Sequence, residues 1–505
     1  MTFRQIGENH LSKRLMLRYI VDLAAMFFAR TSGVLVSLLF LPLYARLMSP
    51  GDFGLASLAL TLQAAVQVAD LGVSLVLSRE VARYSNRSHG RPLRISVLLK
   101  STELVLASAH TIIGALILAF LVMAAGAGTT SAAQGFPVAL LFVGFSLVLV
   151  LHNSCNTALV ATQNYWHASA ILVVGVITRA IVTLFALAQF GATIEVFLSA
   201  QVVSLTFHYL WTRSHLMCKI ETPKMKRSSR VSWTHIAYIW RESLPFLAMS
   251  VSGVIATQID KPLLATFAGA SALSVYFLAY TYAQALVSVV SAPISQFFHP
   301  KVMASARAGQ PAALTKAMSR FSALLVCASF GPGILLMVFA PELTALWLGG
   351  LEEAASVAAL TRILLVGTIV MSLAFLPYVL LTALDDASFM GRAGMILCII
   401  AVAAYALAAA VFGSVGVASA VVGYQTAMTG VLWIRILRSD KTRDAAQSAL
   451  KVIICMVLAV SPWCALWVWS KNLDLPTFIL FGMAAAGTIA YAASCAVLAR
   501  RLRLV

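Results

Sequence analysis

Five charged residues within long apolar stretches of the chain are singled out by their depth: Arg30, Asp70, Arg179, and the neighbours Asp260 and Lys261. A charge at such a position costs on the order of 3 kcal/mol or more in hydrocarbon unless it is paired or hydrated. These five are therefore the candidate ligand-binding residues. Arg30 and Asp70 lie about 12 to 17 Å from the same end of two successive apolar segments, at 1.5 Å of helix rise per residue. Matching depth allows two readings. In one, the two form an ion pair that locks a helical hairpin; in the other, Arg30 faces a cavity as a phosphate ligand and Asp70 positions it, since the planar guanidinium fork suits a diphosphate.

Arg179, in VVGVITRAIVTLFA, has no acid within four residues on its own helix. It needs a partner on another helix or a water-filled lumen. Asp260 and Lys261 precede Pro262. Adjacent residues do not face each other on a helix, so they are not expected to form one simple pair, and Lys261 is free to snorkel outward.

The elements that position these charges follow from composition. Hydrophobic residues make up 61% of the 505 and charged ones only 11%, with a mean hydropathy of +0.91. A soluble domain carries about a quarter charged residues, so the chain is an all-α polytopic membrane protein. In lipid, open strands cannot satisfy their backbone groups. Fourteen apolar segments are expected, at about 19–47, 53–78, 97–125, 136–160, 166–190, 191–213, 241–267, 271–298, 319–347, 355–384, 388–411, 414–437, 451–470 and 476–499. The first is too long for a signal peptide and contains Arg30, so it is expected to remain as a span.

The charges test that count. With the N-terminus inside, the cytoplasmic segments and their borders hold thirty Lys and Arg, whereas the outside segments hold only Arg46, Arg362 and Lys471. This asymmetry supports the count and puts both termini in the cytoplasm. It also accounts for the net charge of +18 without a nucleic-acid partner. A basic loop at 214–240 separates an N-terminal lobe of six helices (1–213) from a C-terminal lobe of six (241–437), and 438–505 adds two helices. A shift of 220 places Pro42, Leu43, Ala45, Leu58, Ala59 and Thr61 on Pro262, Leu263, Ala265, Leu278, Ala279 and Thr281, the trace expected of a parallel repeat.

Other chemistry is thin. Seven cysteines show no ligand spacing and read as packing residues. His110, His152 and His208 have no acid at helical ligand spacing, so no metal site is expected. No G-x-x-x-x-G-K-[ST] loop is present, so ATP hydrolysis and a cofactor are not expected. Pro42, Pro245, Pro293, Pro332 and Pro377 are candidate kinks.

The words RLMSPGDFGLA, ADLG and REVAR near the start, ASALSVYFLAY after the seventh segment, and the six-plus-six-plus-two plan resemble bacterial polysaccharide flippases. Those are the repeat-unit exporters of the multidrug/oligosaccharidyl-lipid/polysaccharide (MOP) superfamily. The resemblance implies a V-shaped, two-lobed fold in the bacterial inner membrane. It implies a non-enzymatic carrier that moves undecaprenyl-diphosphate-linked oligosaccharide to the periplasmic leaflet by alternating access, for lipopolysaccharide or exopolysaccharide assembly. Its partners would be that lipid-linked cargo, membrane lipids and polymerase or assembly proteins, with the coupling ion, H+ or Na+, left open. The alternatives are an ion-coupled small-molecule exporter of the MATE type and a membrane polymerase or ligase. The second is disfavoured because every expected outside loop is about a dozen residues or fewer.

Overall fold

The computed structural model describes residues 28, 31–68, 73–74, 76–77, 80–81, 92–126, 130–162, 165–220, 233–384, 386–471 and 477–501. Among these residues the regular structure is helical throughout. The chain divides into two compact units, Met1–Val254 and Ile255–Val505.

The first unit contains α1 (Thr31–Leu47), α2 (Pro50–Val68), α3 (Pro92–Gly126), α4 (Thr130–Ala161), α5 (Tyr165–Phe190), α6 (Ile194–Ile220) and most of α7 (Trp233–Gln258). The turn between α1 and α2 is set locally. Ser49 Oγ accepts the Asp52 backbone N–H at 3.1 Å and donates to the Asp52 carboxylate at 2.7 Å, while Pro50 occupies the first helical position, where its missing N–H costs nothing. In this unit α4 packs on α3 and α6, and α6 on α5.

The second unit begins at the end of α7 and continues with α8 (Asp260–Ala268), α9 (Ala270–Ala285), α10 (Ala292–Arg307), α11 (Pro311–Val338), α12 (Ala340–Leu348), α13 (Ala354–Ala383), α14 (Ala387–Arg438), α15 (Arg443–Lys471) and α16 (Thr477–Arg501). Two prolines explain its irregularities. Pro262 cannot donate to the Gln258 carbonyl and its ring crowds that turn, so the helix breaks at Ile259 and restarts as α8. Pro293 cannot donate to Val289, and the six residues before α10, Leu286–Ser291, widen into a π turn in which Ala292 N–H reaches Val287 O. Pro332 and Pro377, by contrast, sit inside helices that continue past them. The tight end of α14 is at Gly413, whose φ of 59° and ψ of −141° no helix contains. A Cβ on Gly416 would lie 2.6 Å from Ala408 O, although eight residues of continuous helix span about 12 Å. The chain therefore reverses there, and α14 is two antiparallel arms.

The core of the second unit joins α10, α11, α13, the second arm of α14 and α15 around Phe321, Leu325, Val379, Leu380, Ile436 and Met456. Large apolar residues such as Phe185, Phe207, Ile399 and Leu407 are exposed on the outer faces. Among the described residues, seven helical stretches are long and apolar enough to cross a membrane. An apolar exterior of this extent is suited to lipid rather than water, and the protein is a multi-pass membrane protein. Helix covers most of the described residues of the expected segments, but residues 191–193 are not helical and the 319–347 segment is interrupted at Phe339.

Candidate functional site

Of the five expected charges, Arg30 and Asp70 lie outside the described residues. The other three occupy two separate places, one in each unit.

Arg179 sits in the middle of α5, one turn after Gly175. That glycine is required by a close approach: a Cβ there would fall 2.1 Å from the His208 ring on α6. His208 in turn lies against His152 of α4, with ring centroids 4.1 Å apart and Nε2 atoms separated by 3.3 Å. His208 Nε2 is also 3.1 Å from Ile171 O. A carbonyl only accepts, so the proton belongs on His208 Nε2 and is shared between that oxygen and the His152 lone pair. Tyr44 OH donates to Ala180 O at 2.9 Å, and Thr183 Oγ1 to the Arg179 carbonyl, also at 2.9 Å. Among the described residues no carboxylate lies within ion-pair distance of Arg179, and its guanidinium makes no hydrogen bond. Its five donors remain for an anionic ligand or water.

Asp260 and Lys261 correct the expectation drawn from their adjacency. Lys261 Nζ lies 3.1 Å from Asp260 Oδ1 and 3.2 Å from Oδ2, and the two residues are 1% and 2% exposed. They form one buried pair, and Lys261 does not snorkel outward. The helix break before Pro262 leaves both in the first turn of α8, where a carboxylate is favoured. The long lysine stem then folds back along its own turn. Two tyrosines from α9 complete the arrangement: Tyr276 OH donates to Asp260 Oδ2 at 2.7 Å, and the Tyr280 ring centre lies 3.6 Å from Lys261 Nζ.

Asp260 borders a cavity of about 490 Å³ within the second unit. Its walls come from four places: Gln258 at the end of α7, Tyr280 and Gln284 one turn apart on α9, Tyr378 on α13, and Tyr405 and Tyr424 from the two arms of α14. Tyr405 and Tyr424 meet edge to face, 6.5 Å between centroids. Gln284 Oε1 is shielded from solvent and has no hydrogen-bond partner among the described residues.

A further cluster escaped the reading of the sequence. Arg213 on α6 grips Glu103 on α3 through Nε to Oε1 at 2.7 Å and Nη2 to Oε2 at 3.0 Å. Tyr209 OH donates to the same Oε1 at 2.9 Å. Arg213 belongs to the basic border of an expected span, and Glu103 lies inside an apolar segment, the same signal that singles out Asp70.

A family model described as polysaccharide biosynthesis protein matches residues 22–300. The chain belongs to that family. Its fold is that of the MOP superfamily, to which the resemblance in its sequence pointed. The structure is similar to the lipid II flippase MurJ in an inward closed conformation, with a TM-score of 0.68 at 13% identity, covering 96% of this chain and 99% of that one. It is also similar to an inward-facing multidrug-resistance MATE transporter of the MOP superfamily (TM-score 0.63, 16% identity, 85% and 96% coverage). A third similar structure is a MOP-superfamily transporter from Pyrococcus furiosus (TM-score 0.53, 15% identity, 85% and 96% coverage). No curated protein sequence matches this family member.

Proposed function

We propose that this protein flips a diphosphate-linked oligosaccharide repeat unit across the bacterial inner membrane, from the cytoplasmic to the periplasmic leaflet, for surface polysaccharide assembly. The observation that carries this reading is the conjunction of family and fold: a chain of a polysaccharide-biosynthesis family folds as a helical membrane transporter. The family names the process and the fold names the act, which is movement of cargo. The name of one structural relative, a lipid II flippase, agrees with a lipid-linked cargo. Arg179 is the residue assigned to the cargo in the first unit, because no described residue takes up its donors and its planar fork suits phosphate oxygens.

In this reading both termini are cytoplasmic, the cargo is undecaprenyl-diphosphate-linked, and transport proceeds by alternating access coupled to H+ or Na+. Polymerase or assembly proteins receive the product outside. Arg30 and Asp70 belong to the same cargo path.

The test is reconstitution. Purified protein and undecaprenyl-diphosphate-linked oligosaccharide are placed in sealed vesicles, and the glycan exposed to an added glycosidase is followed with time. Protein-containing vesicles should expose glycan that protein-free vesicles protect. Equal exposure in the two would reject the proposal.

A further inference from the structure

The cavity of the second unit has a chemistry unlike that of a cation or a phosphate site. Asp260 is the only charged residue among its described lining, and its carboxylate oxygens are already taken by Lys261 Nζ and Tyr276 OH. The Lys261 ammonium also covers one ring face, 3.6 Å from the Tyr280 centre. The chain's own cation therefore occupies both the carboxylate and the π face that would attract an organic cation. No lysine or arginine is among the described residues that line the cavity to hold an anion.

Beside aliphatic, methionine and threonine side chains, the described lining is aromatic and amide, with Gln425 a third glutamine. Tyr378, Tyr405 and Tyr424 contribute ring surface from α13 and both arms of α14, and Gln258 and Gln284 bring side chains that both donate and accept. The unpartnered Gln284 Oε1 is a buried acceptor lacking a donor, a condition that ordinarily calls for a ligand or water to meet it. Gln284 also lies two residues before the π turn Leu286–Ser291, a departure from regular helix that recurs at functional sites. At about 490 Å³ the cavity is within the roughly 300–1,000 Å³ of small-molecule sites.

We propose that this cavity binds an uncharged sugar ring, with its C–H face on the tyrosine rings and its hydroxyls paired to Gln258 and Gln284. The assignment rests on the flippase reading, which it deepens: the glycan of the cargo is read in the second unit by stacking and neutral hydrogen bonds rather than by charge. Discrimination among sugars then follows from which hydroxyls the two amides reach, since a site built to hydrogen-bond a hydroxyl rejects a ligand lacking it.

The test uses the full chain in lipid nanodiscs, compared at equal inserted protein. The probes are the free neutral oligosaccharides released by mild acid from the lipid-linked pool of cells carrying this protein, inorganic pyrophosphate, and tetraphenylphosphonium. Wild-type protein should bind the oligosaccharide saturably. Gln284→Leu and Tyr424→Ala should weaken that binding at least tenfold, whereas Tyr424→Phe, which keeps the ring, should retain most of it. Pyrophosphate binding should be the same in all four proteins. Oligosaccharide binding that is absent, or that Gln284→Leu and Tyr424→Ala leave at wild-type strength, overturns the assignment. Tetraphenylphosphonium binding abolished by those two variants also overturns it, because the cavity is then an organic-cation site. Vesicle flipping is read in parallel. Flipping with variant-insensitive sugar binding rejects the cavity assignment alone; variant-sensitive sugar binding without flipping rejects the flippase reading alone.

Discussion

Arg213 and Glu103, 110 positions apart in the chain, are joined by two parallel hydrogen bonds that tie α6 to α3. The fork-to-fork geometry is the one in which arginine differs most from lysine. Arg213 is 31% exposed, so the contact is weaker than a fully buried pair. Glu103→Gln should lower the unfolding free energy by about 2 kcal/mol, the scale of hydrogen bonds to a charged group. Arg213→Lys should lose much of the same amount, and Tyr209→Phe about 1 kcal/mol. Denaturation of the detergent-purified protein measures all three. An unchanged midpoint for Arg213→Lys would show that the second hydrogen bond adds nothing.

The buried pair of the second unit predicts a different pattern. Lys261→Met strands a carboxylate with only the Tyr276 hydroxyl, and Asp260→Asn strands an ammonium, so each should cost about 3–5 kcal/mol. The double variant, which strands neither, should be more stable than either single one. Additive losses in a double-mutant cycle would argue against the coupling.

For Arg179 the informative quantity is surface glycan per unit of membrane-inserted protein. Arg179→Lys should keep part of the activity, since charge remains while the fork is lost. Arg179→Ala and Arg179→Glu should nearly abolish it with protein levels maintained. Normal transport per molecule in the Glu variant would rule out a cation facing the cargo.

The chain reversal in α14 can be tested with alanines. Gly416→Ala places a Cβ 2.6 Å from the Ala408 carbonyl oxygen, a backbone atom that cannot turn aside, whereas a Cβ on Gly430 meets nothing within 4 Å. Thermal unfolding should shift down markedly for the first and stay level or rise for the second, since alanine favours helix. Equal behaviour of the two would contradict the close approach.

Orientation is testable on a cysteine-free background. Cysteines introduced at Arg87 and Lys226 should resist a membrane-impermeant thiol reagent in intact cells and react after permeabilisation. Labelling of either from outside would invert the topology inferred from the thirty cytoplasmic cations.

Hydropathy made the helices legible, because a span must be apolar along most of its length to lie in lipid. Local chemistry made the Ser49–Asp52 turn legible, and Pro293, a candidate kink, stands just after the π turn, whereas the break before Pro262 was not legible. The surroundings of Asp260 and Lys261 were not legible. Tyr276 and Tyr280 lie in the next helix, and only packing decides which of its faces meets α8. The same holds for His152 and His208, which are 56 positions apart and have no spacing rule to connect them. Gln284 gave no signal at all, since a glutamine in an apolar segment is common and only its burial makes it notable.

The Asp260–Lys261 pair has an electrical consequence. A potential of 100 mV does about 2.3 kcal/mol of work on each elementary charge carried across a membrane. Opposite charges 3.1 Å apart and moving together experience equal and opposite work, so reorientation of this stretch is silent to voltage. Arg179, with no carboxylate beside it among the described residues, has no such cancellation. The field across the membrane therefore acts on that guanidinium and whatever anion it holds, and does no net work on the buried pair beside the tyrosine-lined cavity.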